Sequence, residues 1–177
     1  MSLAEFGLIL ASAAQSQPIG LLLDPRVQEI AEHMSLTPAF LTGSALLYGA
    51  AVIRGICYRH LGRYFTFELA LRKDHKLITT GPYAVVRHPS YTGSLMYIAG
   101  STLIAFGDKG SLWAQLGQRV PWLARPVGAA ILILTGIAVS QFVSRTKRED
   151  KVLRTEFGDE WVRWSKKTPY RLIPYIF

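Results

Sequence analysis

The chain has 177 residues, which is room for one domain. Half of the residues are hydrophobic and the mean hydropathy is +0.21, which is high for a water-soluble protein. The formal charge of +8 is compatible with nucleic-acid binding, but the basic residues flank apolar runs, and this arrangement favours membrane orientation instead. Cys57 is the single cysteine, so the sequence excludes an intramolecular disulfide and a cysteine-based metal site.

Four apolar runs are long enough, or nearly so, to cross a bilayer, since about 20 helical residues span the hydrocarbon core. They occupy residues 3–23, 38–58, 91–106 and 126–144. The first run is weakened by two glutamines and Pro18. The second opens with Pro38, a residue favoured at helix starts, and its small residues allow close helix packing. The sequence predicts an all-α integral membrane protein with about four transmembrane helices.

The segments outside these runs differ in charge. Lys and Arg together number six in residues 59–90 and nine in 145–177, against one in 24–37 and three in 107–125. With four spans, the two basic segments fall on the same side of the membrane, and the positive-inside rule assigns that side to the cytosol. Both termini are therefore predicted to be cytosolic, and residues 107–125 are predicted to form a loop on the opposite side.

Residues 74–91 are rich in groups that bind ligands: two His, two Tyr, one Lys and one Arg. Gly81 and Pro82 break the backbone, and Pro89 does so again seven residues after Pro82. The pattern predicts an ordered loop that leads directly into the third apolar run. In this position a water-soluble ligand can meet a lipid one.

A second polar group lies where the fourth run ends. Arg145 and Glu149 are four residues apart, so they share one helix face. An acid and a base there can serve one zwitterionic ligand or two ligands of opposite charge. The spacing alone favours a simpler interpretation, a surface ion pair that contributes about 0.3–0.5 kcal/mol.

Together, the two segments resemble the signature of the isoprenylcysteine carboxyl methyltransferase family. Residues 75–83 are similar to the family's His-x-Leu-[Val/Ile]-Thr-x-Gly-x-Tyr pattern, and residues 87–93 are similar to Arg-His-Pro-x-Tyr-x-Gly. The tail is similar to Arg-Thr-x-x-Glu-Glu-x-x-Leu, beginning at Arg145, and to Phe-Gly-x-Glu-Tyr, beginning at Phe157. The resemblance covers residues 60–177.

The chain departs from the family pattern at four positions. Asp150 stands in place of the second Glu of the pair, and Trp161 and Trp164 stand where Tyr is usual. Glu68 occupies a position where some members carry an amide. These differences affect individual contacts and leave the class unchanged.

The resemblance implies a membrane methyltransferase that uses S-adenosylmethionine without a Rossmann fold, and the sequence indeed lacks a Gly-x-Gly-x-x-Gly fingerprint. It implies that Arg145 holds the substrate carboxylate. Glu149 would pair either with the ammonium group of the cofactor or with its ribose hydroxyls. The full set of implied cofactor-binding residues is Glu68, His75, Lys76, Leu77, Ile78, Tyr83, His88, Pro89, Ser90, Tyr91 and Glu149.

The implied reaction is methylation of the C-terminal carboxylate of a prenylated cysteine at the cytosolic membrane face. The expected partners are prenylated protein C-termini and the lipid bilayer, and the expected location is the endoplasmic reticulum. A terminal carboxylate has a pKa near 3.3–3.7 and is already ionised, so neither a general base nor a metal is expected. Residues 1–177 would form a single domain, with an N-terminal helix pair (1–58) and a catalytic region (59–177).

Three alternatives stay open at this point: a phospholipid N-methyltransferase, a steroid-reductase-like NADPH enzyme and a non-catalytic membrane adaptor. Individual side chains also have alternative interpretations. Arg87 is interpreted as a lipid-phosphate or structural contact, and Arg54 as a side chain that snorkels to the interface. Trp161 and Trp164 are interpreted as an interfacial anchor, with a lid over the site as the alternative.

Overall fold

The computed structural model describes residues 36–64 and 76–176, and all regular structure in these ranges is helical. The predicted all-α class is therefore confirmed for this part of the chain. The predicted first span, Glu68 and His75 lie outside the described residues. The four α-helices are α1 (Pro38–Leu61), α2 (Pro89–Phe106), α3 (Leu112–Arg119) and α4 (Pro121–Lys167), and two short 3₁₀ turns, Gly62–Tyr64 and Gly81–Ala84, lie between α1 and α2.

Two helices, α1 and α4, are long and apolar enough to cross a membrane. They contain the second and fourth predicted runs. The third predicted run is also a helix, α2, but α2 does not meet the same criterion of length and hydropathy. The total of four spans and their topology stay a prediction.

The surface of α4 shows why this helix suits a bilayer. Ile131, Leu132, Ile133 and Leu134 are all exposed. Successive residues of a helix are about 100° apart, so these four side chains point to all sides of α4. A helix that is apolar all round belongs in a core or a membrane. Up to its interruption at Gly158, α4 covers residues 121–157 and is about 55 Å long, which exceeds the ~30 Å hydrocarbon core, so its polar C-terminal part extends beyond the span.

Local capping signals set the start of α1. Thr37 precedes Pro38, and the Thr37 hydroxyl accepts a hydrogen bond from the Phe40 amide at 3.1 Å. A threonine cap followed by proline at the first helical position is the expected N-terminal pattern, because proline has no N–H to leave unsatisfied. The predicted helix start at Pro38 is confirmed.

The sequence predicts a loop throughout residues 107–125, and this prediction is wrong. Ser111 caps α3 by accepting a hydrogen bond from the Ala114 amide at 3.2 Å. α4 then begins at Pro121, five residues before the predicted fourth run. The prediction of helices relied on long apolar runs. α3 is short and contains polar residues, so it was not predicted although Ser111 is a typical capping residue.

The described residues fall into two compact units. The first comprises residues 36–47 and 98–134, and the second comprises 48–64, 76–97 and 135–176. In the first unit, a Cβ atom added to Gly43 would lie 2.8 Å from the Gly100 carbonyl oxygen, so α1 and α2 are in the close contact that small residues permit. The second unit contains both motif segments. One domain over residues 1–177 stays a prediction.

Gly158 interrupts α4 with φ 48° and ψ −119°, a backbone conformation that residues with a Cβ rarely adopt. A Cβ atom there would meet nothing within 4 Å, so the variant Gly158→Ala isolates the backbone strain. We expect it to lower the free energy of unfolding by about 1–2 kcal/mol. Thermal unfolding in detergent measures the change.

The matched control is Gly136→Ala. Gly136 lies in the same helix, and its added Cβ also meets nothing within 4 Å. Because its backbone is helical, alanine is expected to be neutral or to stabilise by up to about 1 kcal/mol. Equal changes in the two variants would contradict the account of the interruption.

Candidate functional site

The loop that precedes α2 turns at Gly81. Its φ of 60° lies in the left-handed region, and a Cβ atom there would overlap the ring of His60. Both the backbone and the available space therefore require glycine. Pro82 follows within the 3₁₀ turn. The predicted break in the backbone is confirmed, and its effect is to direct the next residue inward.

That residue, Tyr83, is buried with Cys57 and Trp164. The Trp164 indole N–H donates to the Tyr83 carbonyl oxygen at 3.1 Å. Burial raises the pKa of Tyr83, so its hydroxyl stays protonated. The interpretation of Trp164 as an interfacial anchor is wrong, because its side chain is 6% exposed and packs beneath the loop.

Asp150 in α4 is the centre of a charged cluster, although it is only 5% exposed. Its Oδ2 atom accepts hydrogen bonds from Arg87 Nη2 at 3.4 Å and Arg171 Nε at 3.0 Å, and its Oδ1 atom lies 3.0 Å from His88 Nε2. Burial raises the pKa of Asp150, but the hydrogen bond from His88 and the positive charges outweigh burial, so the pKa is lowered. Asp150 is therefore an ionised, buried and fully partnered carboxylate.

His88 connects Asp150 with its neighbour Glu149. Its Nε2 atom lies 3.0 Å from Asp150 Oδ1, its Nδ1 atom lies 3.3 Å from Glu149 Oε2, and its side chain is 5% exposed. A neutral imidazole has one N–H, whereas an imidazolium has two, so contact with two carboxylates favours the charged form. Burial lowers the pKa of His88, but the hydrogen bonds to the two carboxylates outweigh burial and raise it.

Glu149 is the more open of the two acids, with a side chain that is 22% exposed. Its Oε1 atom accepts from the Tyr91 hydroxyl at 2.6 Å and from Arg145 Nε at 3.3 Å. Burial raises the pKa of Glu149, but hydrogen bonds from His88 and Tyr91 outweigh burial and lower it. The Arg145–Glu149 pair is thus one edge of a larger network, not an isolated surface ion pair.

The non-helical segment that follows α4 lies along the loop. Arg87 Nη1 donates to the carbonyl oxygens of Thr168 at 2.8 Å and Pro169 at 2.7 Å. The Arg87 amide donates to the Tyr170 carbonyl oxygen at 2.9 Å. Arg87 is buried, so of its two predicted interpretations the structural contact is confirmed and a lipid phosphate has no access to it.

Four predicted site residues are in one contact network: His88, Tyr91, Arg145 and Glu149. Sequence reasoning did not assign Asp150 or Arg171 to this network. The adjacency of Asp150 to Glu149 was an available signal, but its partner Arg171 lies 21 residues further along the chain. No local pattern indicates a contact over that separation.

The remaining described members of the predicted cofactor set lie around this network. Leu77 and Ile78 pack against the buried cluster that contains Tyr83. Pro89 and Ser90 form the start of α2, and Lys76 is exposed. The first part of the loop therefore supplies backbone and apolar side chains at the edge of the network. The charged groups come from the last residues of the loop and from α4.

The contribution of His88 to stability should depend on pH. A histidine whose folded-state pKa is raised above its ordinary value of 6.5 stabilises the fold fully below that value, and this stabilisation is lost as pH rises through the raised pKa. We therefore expect the difference in unfolding free energy between the parent and His88→Gln to be largest near pH 6 and to shrink towards about pH 9. Chemical unfolding in mixed micelles at several pH values measures the difference.

His60→Gln is the control, because it removes an exposed histidine whose ring contacts the Ile56 carbonyl oxygen. The two acids act in the opposite direction: their lowered pKa values mean that stability is lost as pH falls below about 4. A difference for His88→Gln that grows with rising pH would contradict the imidazolium assignment.

Comparisons with known proteins agree with the motifs. Residues 43–112 match the model of the isoprenylcysteine carboxyl methyltransferase family. The chain is 25% identical over 136 residues to protein-S-isoprenylcysteine O-methyltransferase B of Arabidopsis thaliana, which is 76% of this chain and 58% of that protein. It is 31% identical over 110 residues to the protein-S-isoprenylcysteine O-methyltransferase of Schizosaccharomyces pombe, covering 61% of this chain and 38% of the relative.

A different enzyme is also similar. Delta(14)-sterol reductase of Methylotuvimicrobium alcaliphilum is 31% identical over 101 residues, covering 57% of this chain and 19% of the reductase. The aligned regions thus span little more than half of the Arabidopsis protein and less of the other two.

The family is membrane-bound, and with the two apolar helices this supports an integral membrane protein. The resemblance predicted from the motifs is confirmed: this protein is similar to the isoprenylcysteine carboxyl methyltransferase family, whose model it matches over residues 43–112.

Proposed function

We propose that this protein transfers a methyl group from S-adenosylmethionine to the C-terminal carboxylate of a prenylated cysteine. The reaction would take place at the cytosolic face of the membrane, with the endoplasmic reticulum as the proposed location. The observation that carries the proposal is the meeting of the two motif segments, since His88 lies between Glu149 and Asp150. The family match and the names of two relatives support the choice of reaction.

The side chains of the network fit a polar cofactor. S-adenosylmethionine carries an ammonium group and ribose hydroxyls, and when bound it supplies the methyl group on a sulfonium. Glu149 is ionised and partly exposed, so its carboxylate can accept a hydrogen bond from either kind of group. Tyr91 and His88 fix its two oxygens, so the carboxylate is oriented before a ligand arrives.

Other members of the predicted cofactor set take supporting roles in this proposal. Tyr83 and His88 are enclosed, so their side chains stabilise the loop and orient Glu149. Lys76, which is exposed, and its partly buried neighbours Leu77 and Ile78 would contact the cofactor from the loop side. Contacts by Glu68 and His75 are proposed from the family resemblance alone.

Arg145 is the proposed ligand of the substrate carboxylate. Its side chain is 40% exposed, it lies next to Glu149, and its guanidinium Cζ atom is 6.0 Å from the centre of the Tyr91 ring. A guanidinium can bind a carboxylate at two points and stays charged at all relevant pH values. Because the substrate carboxylate is already ionised, the residues of the site need to align it and exclude water, with no proton to remove.

Two alternatives make different demands on the same residues. The match to a sterol reductase favours, as a second candidate, reduction of a sterol with NADPH. A phospholipid N-methyltransferase would act on a neutral amine, for which Arg145 offers no attraction. Neither alternative uses a cation that binds a carboxylate at the substrate position.

Substrate choice should follow the carboxylate. We expect purified protein in lipid nanodiscs to transfer labelled methyl groups to a farnesylcysteine peptide analogue with a free C-terminus. Amidation of that C-terminus removes the nucleophile and should abolish transfer. Phosphatidylethanolamine should stay unlabelled, and NADPH should not be consumed when a sterol with a Δ14 double bond is added. Labelling of the phospholipid or oxidation of NADPH would replace the proposal with the corresponding alternative.

Glu149 and Arg145 are expected to bind different ligands, Glu149 the cofactor and Arg145 the substrate. Glu149→Gln keeps the shape but removes the charge, so it should weaken cofactor binding by about ten- to a hundredfold, the cost of a charge-assisted hydrogen bond. Arg145→Lys keeps the charge but loses the planar fork, so cofactor affinity should hold while the use of prenylcysteine falls. Calorimetry in detergent and steady-state kinetics measure the two effects.

Matched controls lie further along the same helix. Glu156→Gln and Arg154→Lys make the same chemical changes at exposed positions of α4, and both should resemble the parent. If Glu149→Gln and Arg145→Lys also bind cofactor and turn over substrate like the parent, the network around Glu149 is structural only and the ligands bind elsewhere.

A further inference from the structure

Arg54 is a cation within α1, one of the two helices of span length. The sequence predicts that it snorkels to the interface, which stays a prediction; in the structure its guanidinium turns towards the start of α2. Arg54 Nη1 donates to the Ser90 carbonyl oxygen at 3.4 Å and to the Ser94 hydroxyl, and Nη2 donates to the Tyr58 hydroxyl. A charged side chain in an apolar helix is costly and is kept where it has a specific task.

Gly93 shows that this contact is built into α2. A Cβ atom added to Gly93 would lie 2.8 Å from Arg54 Cγ and 3.2 Å from the Ala50 carbonyl oxygen. The absent side chain therefore leaves the space that the Arg54 stem fills. Ser90 and Ser94, four residues apart on α2, contact its guanidinium. The aliphatic part of the Arg54 side chain and its guanidinium thus both pack the first turns of α2 against α1.

The same turn of α2 carries a site residue. Tyr91 follows Ser90 directly, and its hydroxyl donates to Glu149 Oε1 at 2.6 Å. Any shift of the turn that Arg54 holds would move the Tyr91 ring relative to Glu149.

We propose that Arg54 is a positioning residue: it seats the start of α2 on α1 and thereby holds Tyr91 against Glu149. The first part of this inference, the Tyr91–Glu149 contact, does not depend on which ligand is bound. The second part, that the contact orients Glu149 for the cofactor, rests on the proposed function. The two parts are therefore measured separately.

The test uses two variants that disturb the contact in different ways. Arg54→Gln removes the guanidinium, and Gly93→Ala leaves Arg54 in place but fills the space of its stem. The Tyr91 hydrogen bond is read from the ζ-carbon resonance of labelled tyrosine in micelles without ligand, assigned with Tyr91→Phe. Affinity for S-adenosylmethionine is then measured by calorimetry on the same samples.

Both variants should shift the Tyr91 resonance towards its position in Glu149→Gln. Both should weaken cofactor binding by about tenfold, and the double variant should be no worse than either single one, because the two changes act on one contact. Arg54→Lys keeps the charge and one donor group and should recover part of the loss. Arg59→Gln removes an exposed arginine from the last turn of the same helix and should resemble the parent.

Ser94→Ala, which removes only the hydroxyl acceptor, provides a milder version of the test if Arg54→Gln fails to fold. A Tyr91 resonance that stays at the parent position in Arg54→Gln, Gly93→Ala and Ser94→Ala would overturn the proposal. If the resonance shifts as expected while the parent itself binds no S-adenosylmethionine, the positioning role stands and the proposed function fails.

Discussion

The buried carboxylate of Asp150 imposes the constraint on which the second unit depends. A charge that is 5% exposed is very costly unless it is paired, so its partners must be in place when the fold forms. They come from two separate parts of the chain: Arg87 and His88 from the loop, and Arg171 from the segment after α4. One carboxylate thus joins the loop, the helix and the terminal segment.

Glu149, the neighbour of Asp150, also contacts His88 but has a different role. Glu149 shares His88 with Asp150, but its side chain is 22% exposed against 7% for Asp150. The two N–H groups of an imidazolium lie on opposite sides of the ring, so one residue can hold both acids at once. The enclosed acid stabilises the fold, and the open acid is left ordered at an accessible edge. This arrangement suits the proposed reaction, in which orientation is the main requirement.

Local signals and distant contacts explain what the sequence could predict. Pro38 and Gly81 restrict their own backbone, so the sequence predicts the start of α1 and the turn before α2. The motifs indicate the two segments, the loop and α4, that contact each other in the structure. Ser111 is also a local signal, but it was hidden in a polar stretch and α3 was missed. The contacts of Asp150 with the loop join residues 62 and 63 positions apart, and no periodicity or spacing encodes them. The motifs likewise could not show which side chains would be enclosed.

The link between His88 and Asp150 is tested most directly by a double-mutant cycle with His88→Gln and Asp150→Asn. The unfolding free energies of the parent, both single variants and the double variant are measured in mixed micelles at about pH 6, where the imidazolium is favoured. A charged hydrogen bond between buried partners predicts a coupling energy of about 1.5–3 kcal/mol. Effects of the two substitutions that add to within about 0.5 kcal/mol would contradict the account, because independent sites behave in that way.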